Sequence, residues 1–394
     1  MLQSVVFAST DDLWSGEQVL TIDGGETGDE FGCSVSISGS TLVVGAPGDE
    51  SHNGRAYVFE QAGAGQEWLQ VKMLQPSGGG ARNFGFTVSI SGETIMVGAP
   101  IEPDYGAAYF FGRDVGGEGN WGGIQKVWGS ALNDGDGFGL SVCVDGGTAV
   151  AGAPLHDAGN WDGAAFVFHE DAGSWTHKVE LNASDHPMDA RFGQSVAISG
   201  DIAVVGTELS GSVYVFERDQ GGAYSWEQVV RLSGLATSGY SVAVDGDVVV
   251  VGNPDADARS GAVFIHSNIL GPAEARTSVV LTAPDAPPGS EYKFGTAVAI
   301  DGSLLVVGAY GGRAAYVFRL DSGSAGAWRF ERKLTPSSQG DGFATSLALS
   351  GDLAVVGAGA HYYEGSAFVF DRNAAVFADG FESGGVASWS NRVP

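Results

Sequence analysis

Acidic, imidazole and aromatic side chains gather in short clusters along this chain: Asp49, Glu50 and His52; Glu102, Asp104 and Tyr105; His156, Asp157, Trp161 and Asp162; Glu208; Asp255 and Asp257; Tyr310; His361, Tyr362, Tyr363 and Glu364. Residue sets of this kind support three sorts of chemistry. Exposed aromatics among acids can anchor a protein or sugar. Carboxylates grouped over about a dozen residues can hold calcium. Two carboxyls about 5 to 10 Å apart can hydrolyse a glycoside. The clusters mark Asp49, His52, Asp104, Tyr105, Asp157, Trp161, Asp162, Tyr362 and Tyr363 as candidate ligand-binding residues. The same composition is also that of ordinary solvated loops.

Metal and catalytic signals are thinner. Asp134-Gly135-Asp136 and Asp255-Ala256-Asp257 are two-carboxylate pairs, a pattern common in loops without any metal. No G-x-S-x-G elbow, H-E-x-x-H pair or P-loop is present. Gly78-Gly79-Gly80 precedes no helical pattern and so cradles no phosphate. The expectation is a non-enzyme with no catalytic residues, no bound metal and no cofactor.

What positions the clusters is an internal repeat, the first thing to look for in a chain so rich in glycine. A Phe-Gly pair recurs at Phe31-Gly32, Phe84-Gly85, Phe138-Gly139, Phe192-Gly193 and Phe294-Gly295, with degraded copies at Ser238-Gly239 and Phe343-Ala344. A second landmark follows at Gly45-Ala46-Pro47, Gly98, Gly152, Gly206, Gly252, Gly308 and Gly357, each the same 14 positions (45 − 31 in the first) after its opening pair. Loops drift in length, so a constant spacing implies a fixed two-strand hairpin. Its turn is read at Ser38-Gly39, Ser91-Gly92, Asp145-Gly146, Ser199-Gly200, Asp245-Gly246, Asp301-Gly302 and Ser350-Gly351, where glycine accepts the positive φ of a tight turn.

The second strand is apolar on successive residues, as in Val248 to Val251, which predicts cover on both faces. An aromatic third strand follows, such as Tyr57-Val58-Phe59, and a fourth that starts at Trp68, Trp121, Trp175, Trp226 or Trp328. Unit 5 has only Thr277 to Leu281 in that place, without the Trp. Seven units of four antiparallel strands, with no helical pattern, predict an all-β, seven-bladed β-propeller.

Unit 7 lacks a fourth strand after Phe370, while Leu13 to Leu20 has the form of one. The N-terminal strand therefore closes the ring, burying Trp14, Val19 and Leu20 and covering an open edge. The predicted organisation is an N-terminal extension over 1–11, the propeller over 12–371 and a tail over 372–394. The loops between strands two and three, where the clusters lie, and those between four and one emerge on one face. The tight turns emerge on the other.

A formal charge of −28 and a pI near 4.3 exclude nucleic acid as a partner, since that surface must be basic. They also disfavour an anionic membrane. No apolar run approaches 18 residues, so no membrane insertion is expected. Residues 1–11 hold no intact signal peptide, though Val5 to Ser9 would suit the end of one. Cys33 and Cys143 fall in units that are not neighbours, beyond disulfide reach, and read as small core residues.

Phe31-Gly32, Gly45-Ala46-Pro47, Gly54 with Tyr57-Val58-Phe59, and Trp68 together resemble the FG-GAP repeat, the blade unit of the integrin α-subunit propeller and of related bacterial proteins. The resemblance spans all seven units. It implies extracellular ligand binding or cell adhesion, with a protein or glycan as partner and the ring acting as a monomer. Integrin blades often carry calcium between the Phe-Gly strand and the next. Here that connection is a two-residue turn, so the family's calcium loops are missing and Asp145, Asp245 and Asp301 read as turn formers. Val376 to Gly384 with Trp389-Ser390 resembles a tail found on secreted bacterial proteins, which implies export or surface display. Two other functions stay open: a carbohydrate-active or otherwise hydrolytic propeller, and a structural surface repeat without a ligand.

Overall fold

The computed structural model describes residues 14, 16–22, 24–63, 65–76, 82–156, 162–185, 189–219, 221–222, 224–233, 239–287, 289–321, 326–337, 342–359 and 364–372. Seven four-stranded antiparallel sheets follow one another around a ring. Blade 1 comprises Val35–Ser38, Thr41–Ala46, Arg55–Gln61 and Trp68–Leu74 in that spatial order. The first strands of neighbouring blades touch all the way round, blade 7 to blade 1 included. They therefore line the axis, and the fourth strands form the rim. Second strands such as Thr41–Ala46, Thr148–Ala153 and Leu304–Ala309 are buried along their whole length, as their unbroken apolar runs require.

Two rings of backbone contact explain the constant spacing. In the first hairpin Ser38 pairs with Thr41, leaving Gly39 (φ +57) and Ser40 as the turn. Glycine with positive φ at the first central position is the type II′ choice, whose twist matches the strands. The side chain before each turn does more than form it. The Gly92 N–H donates to Ser38, Gly146 to Ser91, Gly200 to Asp145, Gly246 to Ser199, Gly302 to Asp245, Gly351 to Asp301 and Gly39 to Ser350, at 2.6 to 3.2 Å. Each blade is thus tied to the next in an unbroken circle.

The second ring joins the two sequence landmarks. A Cβ on Gly45 would land on the Gly85 carbonyl oxygen of the next blade, and the same holds for Gly98 on Gly139, Gly152 on Gly193 and Gly357 on Gly32. Only glycine permits so close an approach of two backbones.

Between the blades lie aromatic plugs. Phe31, Phe84, Phe138, Phe192, Phe294 and Phe343 have no solvent exposure. Each meets two rings of its own third strand edge-on, as Phe84 does Tyr109 at 5.3 Å and Phe111 at 5.9 Å. Such pairs add about 0.5–1.5 kcal/mol beyond burial. The fourth-strand Trp packs back onto the preceding blade. Trp175 stacks on Phe110 at 4.0 Å, and the Trp121 Nε1 donates to Glu60 at 3.0 Å. Blade 5, which has no such Trp, places Ile269 in the apolar cluster it shares with blade 4.

Closure runs through Gly16–Leu20, which pairs antiparallel with Ala367–Asp371. Trp14 sits in the cluster shared by blades 6 and 7, and its Nε1 donates to Glu331 at 2.8 Å. Trp14 and Leu20 are buried as expected, but Val19 is not: it is 39% exposed, because on a rim strand alternate side chains face water. Two other expectations need correction. One-turn helices occur at Asp49–His52 and Ala256–Arg259, with a 3₁₀ turn at Ala273–Ala275. They are too short to leave a periodic signal. Cys33 and Cys143 are unpaired and half-buried rather than fully in the core, although Cys143 still packs against the apolar cluster shared by blades 3 and 4. Burial still pushes the Cys33 thiol up to about 12. No helix among the described residues is long and apolar enough to cross a membrane. The predicted extension 1–11 and the tail from 373 onward lie outside the described residues.

Candidate functional site

Opening phenylalanines help to assemble the loop face. The Phe84 N–H donates to the Asn53 carbonyl at 3.2 Å, Phe138 to Tyr105 at 2.9 Å and Phe192 to Asp162 at 2.9 Å. These two-to-three loops are thereby pinned against the connections entering the next blades. The cluster residues are held on a rigid frame rather than on free loops.

Below them runs an arrangement that the clusters alone do not reveal. In blades 1, 2, 4 and 6 the third strand opens with Tyr57, Tyr109, Tyr214 and Tyr316, and each hydroxyl donates to a carboxylate: Asp49, Glu102, Asp185 and Asp285. A cation completes each set. Arg55 reaches Asp49 at 3.1 Å, Lys126 reaches Glu102, Arg231 reaches Asp185 at 3.0 Å and Lys333 reaches Asp285 at 2.7 Å. Burial, and then the carboxylate beside it, pushes the Tyr214 hydroxyl up to about 12, and the other three rise for the same reasons. The shift favours the protonated phenol, which donates to its carboxylate. Blades 3, 5 and 7 have Phe166, Phe264 and Phe368 at this position. Tyr against Phe is the signal that marks which acids a phenol engages.

The candidate residues fall out as follows. Asp49 is buried under Tyr57 and Arg55, while Glu50, which also pairs with Arg55, is exposed. His52 is exposed, with left-handed backbone at φ 73. Asp49 and His52 share an open cleft of about 490 Å³ with Glu26, Asp29, Glu50 and Arg55. Burial in that acidic company raises the Asp29 carboxyl, against the hydrogen bond it accepts from the Glu26 N–H.

Asp104 is exposed (φ 83), and Tyr105 beside it is half-buried with its ring 6.5 Å from Trp128. Asp162 is half-buried, and its Oδ1 has no hydrogen-bond partner among the described residues. Asp157, Trp161, Tyr362 and Tyr363 lie outside the described residues. The structure brings Asp49 to His52 and Asp104 to Tyr105. It does not gather the described candidates into one site.

Of the two-carboxylate pairs, Asp134-Gly135-Asp136 diverges. Asp134 is exposed, whereas Asp136 is buried and accepts from the Asn133 N–H at 2.6 Å and lies 2.7 Å from the His156 Nδ1. Sequence reasoning named Tyr310 on this face but missed its other large apolar groups. Ile101, Trp128, Leu209 and Tyr240 are 46 to 56% exposed, alongside Tyr310 at 40%. Trp128 directly follows the fourth strand of blade 2, and Tyr240 directly precedes the first strand of blade 5.

The opposite face is uniform only near the axis. Its three-to-four connections range from Ala172-Gly173 in blade 3 to 268–276 in blade 5, so variation is not confined to the loop face.

Likeness to known proteins follows this geometry. No curated protein matches the chain. Among solved structures, a Bacteroides uniformis protein provisionally assigned as a 6-phosphogluconolactonase superposes with a TM-score of 0.56 at 13% identity, over 77% of this chain and 85% of that one. Saccharomyces cerevisiae Sqt1 superposes with a TM-score of 0.50 at 12% identity, over 85% and 81%. At such identities they show the propeller fold and nothing of its chemistry. The FG-GAP repeat model matches residues 14–59, 68–111, 121–168, 175–216, 277–325 and 328–370. Each match runs from a fourth strand into the three strands of the next blade. The unit passed over is blade 5, whose opening pair is Ser238-Gly239. With the glycine rings, the aromatic plugs and these six matches, the chain belongs to the FG-GAP repeat family.

Proposed function

We propose that this chain is an extracellular, non-catalytic binding module that captures a protein or glycan on its loop face. It does so as a single ring, without a metal. The observation that carries the reading is the set of large apolar groups left in water there: Ile101, Trp128, Leu209, Tyr240 and Tyr310. They stand beside the acidic residues Glu102, Asp104, Glu208 and Asp255. A rim of exposed aromatic and aliphatic anchors among polar groups is the make-up of a contact surface. The FG-GAP repeat, typical of extracellular proteins, supports the location.

The test is binding of the labelled chain to a glycan array and to a panel of purified extracellular proteins. The comparison is a variant with Ile101→Ser, Trp128→Ala and Tyr310→Ala. A signal on either surface that the variant loses at unchanged melting temperature supports the reading. Retained binding moves the site off this face. Blank arrays favour a structural repeat, and turnover of arrayed glycosides favours a hydrolytic propeller.

A further inference from the structure

The seven joints between blades are not alike. Six carry the Phe plug with its two edge-on rings. At the joint of blades 4 and 5 the sequence puts Ser238 in the plug's place. The two rings it would meet are also altered. Phe264 is only half-buried, and His266 occupies the position held by Phe59, Phe111, Phe168, Phe216, Phe318 and Phe370 elsewhere. The usual Trp is replaced by Ile269, so the described core of this joint is aliphatic: Ile202, Val204, Val213, Val215 and Val230 against Val249, Val251 and Ile269.

His266 faces that core. It stands directly opposite Val249 in the sheet, and cross-strand partners share a face. It is 9% exposed, its Nδ1 lies 2.8 Å from the Ser278 hydroxyl, and its Nε2 is buried without a partner among the described residues. The charged groups on the elements around it are few. Glu217 lies on the side of Val213 and Val215 by the two-residue period, and Glu227, directly opposite it in the sheet, shares that face. Asp245 and Asp247 flank the first turn of blade 5. Arg276, before the fourth strand, donates to the Gly271 carbonyl at 3.1 Å. The strand facing His266 from blade 4, Ile202–Gly206, contains no charged residue.

We propose that the joint between blades 4 and 5 is an acid-loosened seam, where the ring opens first once His266 takes up a proton. An imidazolium there would bring charge among aliphatic side chains with no acceptor at Nε2. Desolvation accordingly holds the imidazole below its ordinary 6.5. The sign follows by linkage. A histidine depressed in the folded state binds its proton more readily when the joint is open. The closed joint is therefore fully favoured above the ordinary histidine range and loses ground as pH falls below it.

The inner rings persist across the seam. The Ser195 hydroxyl donates to the Gly239 carbonyl at 2.7 Å, and the Gly246 N–H donates to Ser199 at 3.2 Å. Opening therefore parts the outer layers while the axis still holds.

The test is limited proteolysis with papain at about pH 7.5 and about pH 5, bracketing the histidine range, with cut sites read by mass spectrometry. The expected result is cleavage between Trp226 and Asp247 that speeds several-fold at the lower pH in the wild type but not in His266→Phe. Acid-accelerated cleavage first at another joint, or equal acceleration in His266→Phe, overturns the proposal. Should His266→Phe fail to fold, an NMR titration of the wild type decides. Depressed titration of His266 that moves the Val249, Val251 and Val215 amides supports the seam. Titration in the ordinary range without those shifts refutes it.

Discussion

The joint between blades 1 and 2 and the joint between blades 4 and 5 use the same backbone and different side chains. In the first, Phe84 is sealed between Tyr109 and Phe111, and Trp121 bonds Glu60 across the gap. In the second, no described aromatic is fully buried, and a histidine stands where Phe111 would. Both keep the glycine contact and the turn-to-turn hydrogen bond. The ring is therefore specified by backbone contacts near the axis, and its cohesion is graded by aromatic packing outside them. A joint can lose its plug and still belong to the ring.

The largest expected effect comes from removing a joint's worth of closure. Deleting residues 1–21 takes away Trp14 and Leu20, each worth about 1.5–3 kcal/mol of burial, together with a whole rim strand. Against a net stability of about 5–15 kcal/mol, the truncated chain should aggregate or melt far earlier. An unchanged calorimetric transition would show that closure does not depend on this strand.

Next is the contrast between the joints. Phe84→Ala should cost about 3–5 kcal/mol, as for other buried aromatics. His266→Phe should instead gain on the order of 1 kcal/mol, because it removes an Nε2 buried without a partner among the described residues and loses in exchange the single bond to Ser278. Urea unfolding of both variants checks the pair. Equal losses would remove the distinction.

The smallest effect is acidic and local. Although burial opposes it, hydrogen bonds from Trp14 and Arg372 and the charge of Arg319 hold the Glu331 carboxyl below its ordinary 4.5. Stability from a depressed carboxyl is present above that value and fades as pH falls through the folded one. Glu331→Gln should thus flatten the acid side of the melting curve below about 4.5 and leave the histidine range untouched. Unaltered acid dependence in that variant would assign the latch elsewhere.

Much of this was legible in the sequence, and the reason is physical. The Phe-Gly pair, the tight turn and the second glycine are close backbone contacts that tolerate one residue type, so they recur visibly and count the blades. The N-terminal strand announced itself through Trp14. The candidate site was less legible. Asp49 and Glu102 looked like free loop acids, but the partners that bury them, Tyr57 and Tyr109, stand on strands several residues away. Trp128 and Tyr240 stand just outside strands, and their exposure depends on where the neighbouring loops run. Ile269 could not be foreseen as the stand-in for a Trp, because it comes from a loop rather than a strand.

The most direct measurement is native-state hydrogen exchange at neutral pH, read blade by blade through mass spectrometry. Six plugged joints and one aliphatic joint predict that amides in Ile202–Gly206 and Val248–Asn253, which flank the unplugged joint, exchange before those in Thr41–Ala46 and Thr94–Ala99. Uniform exchange around the ring, or earliest exchange at a plugged joint, would contradict it.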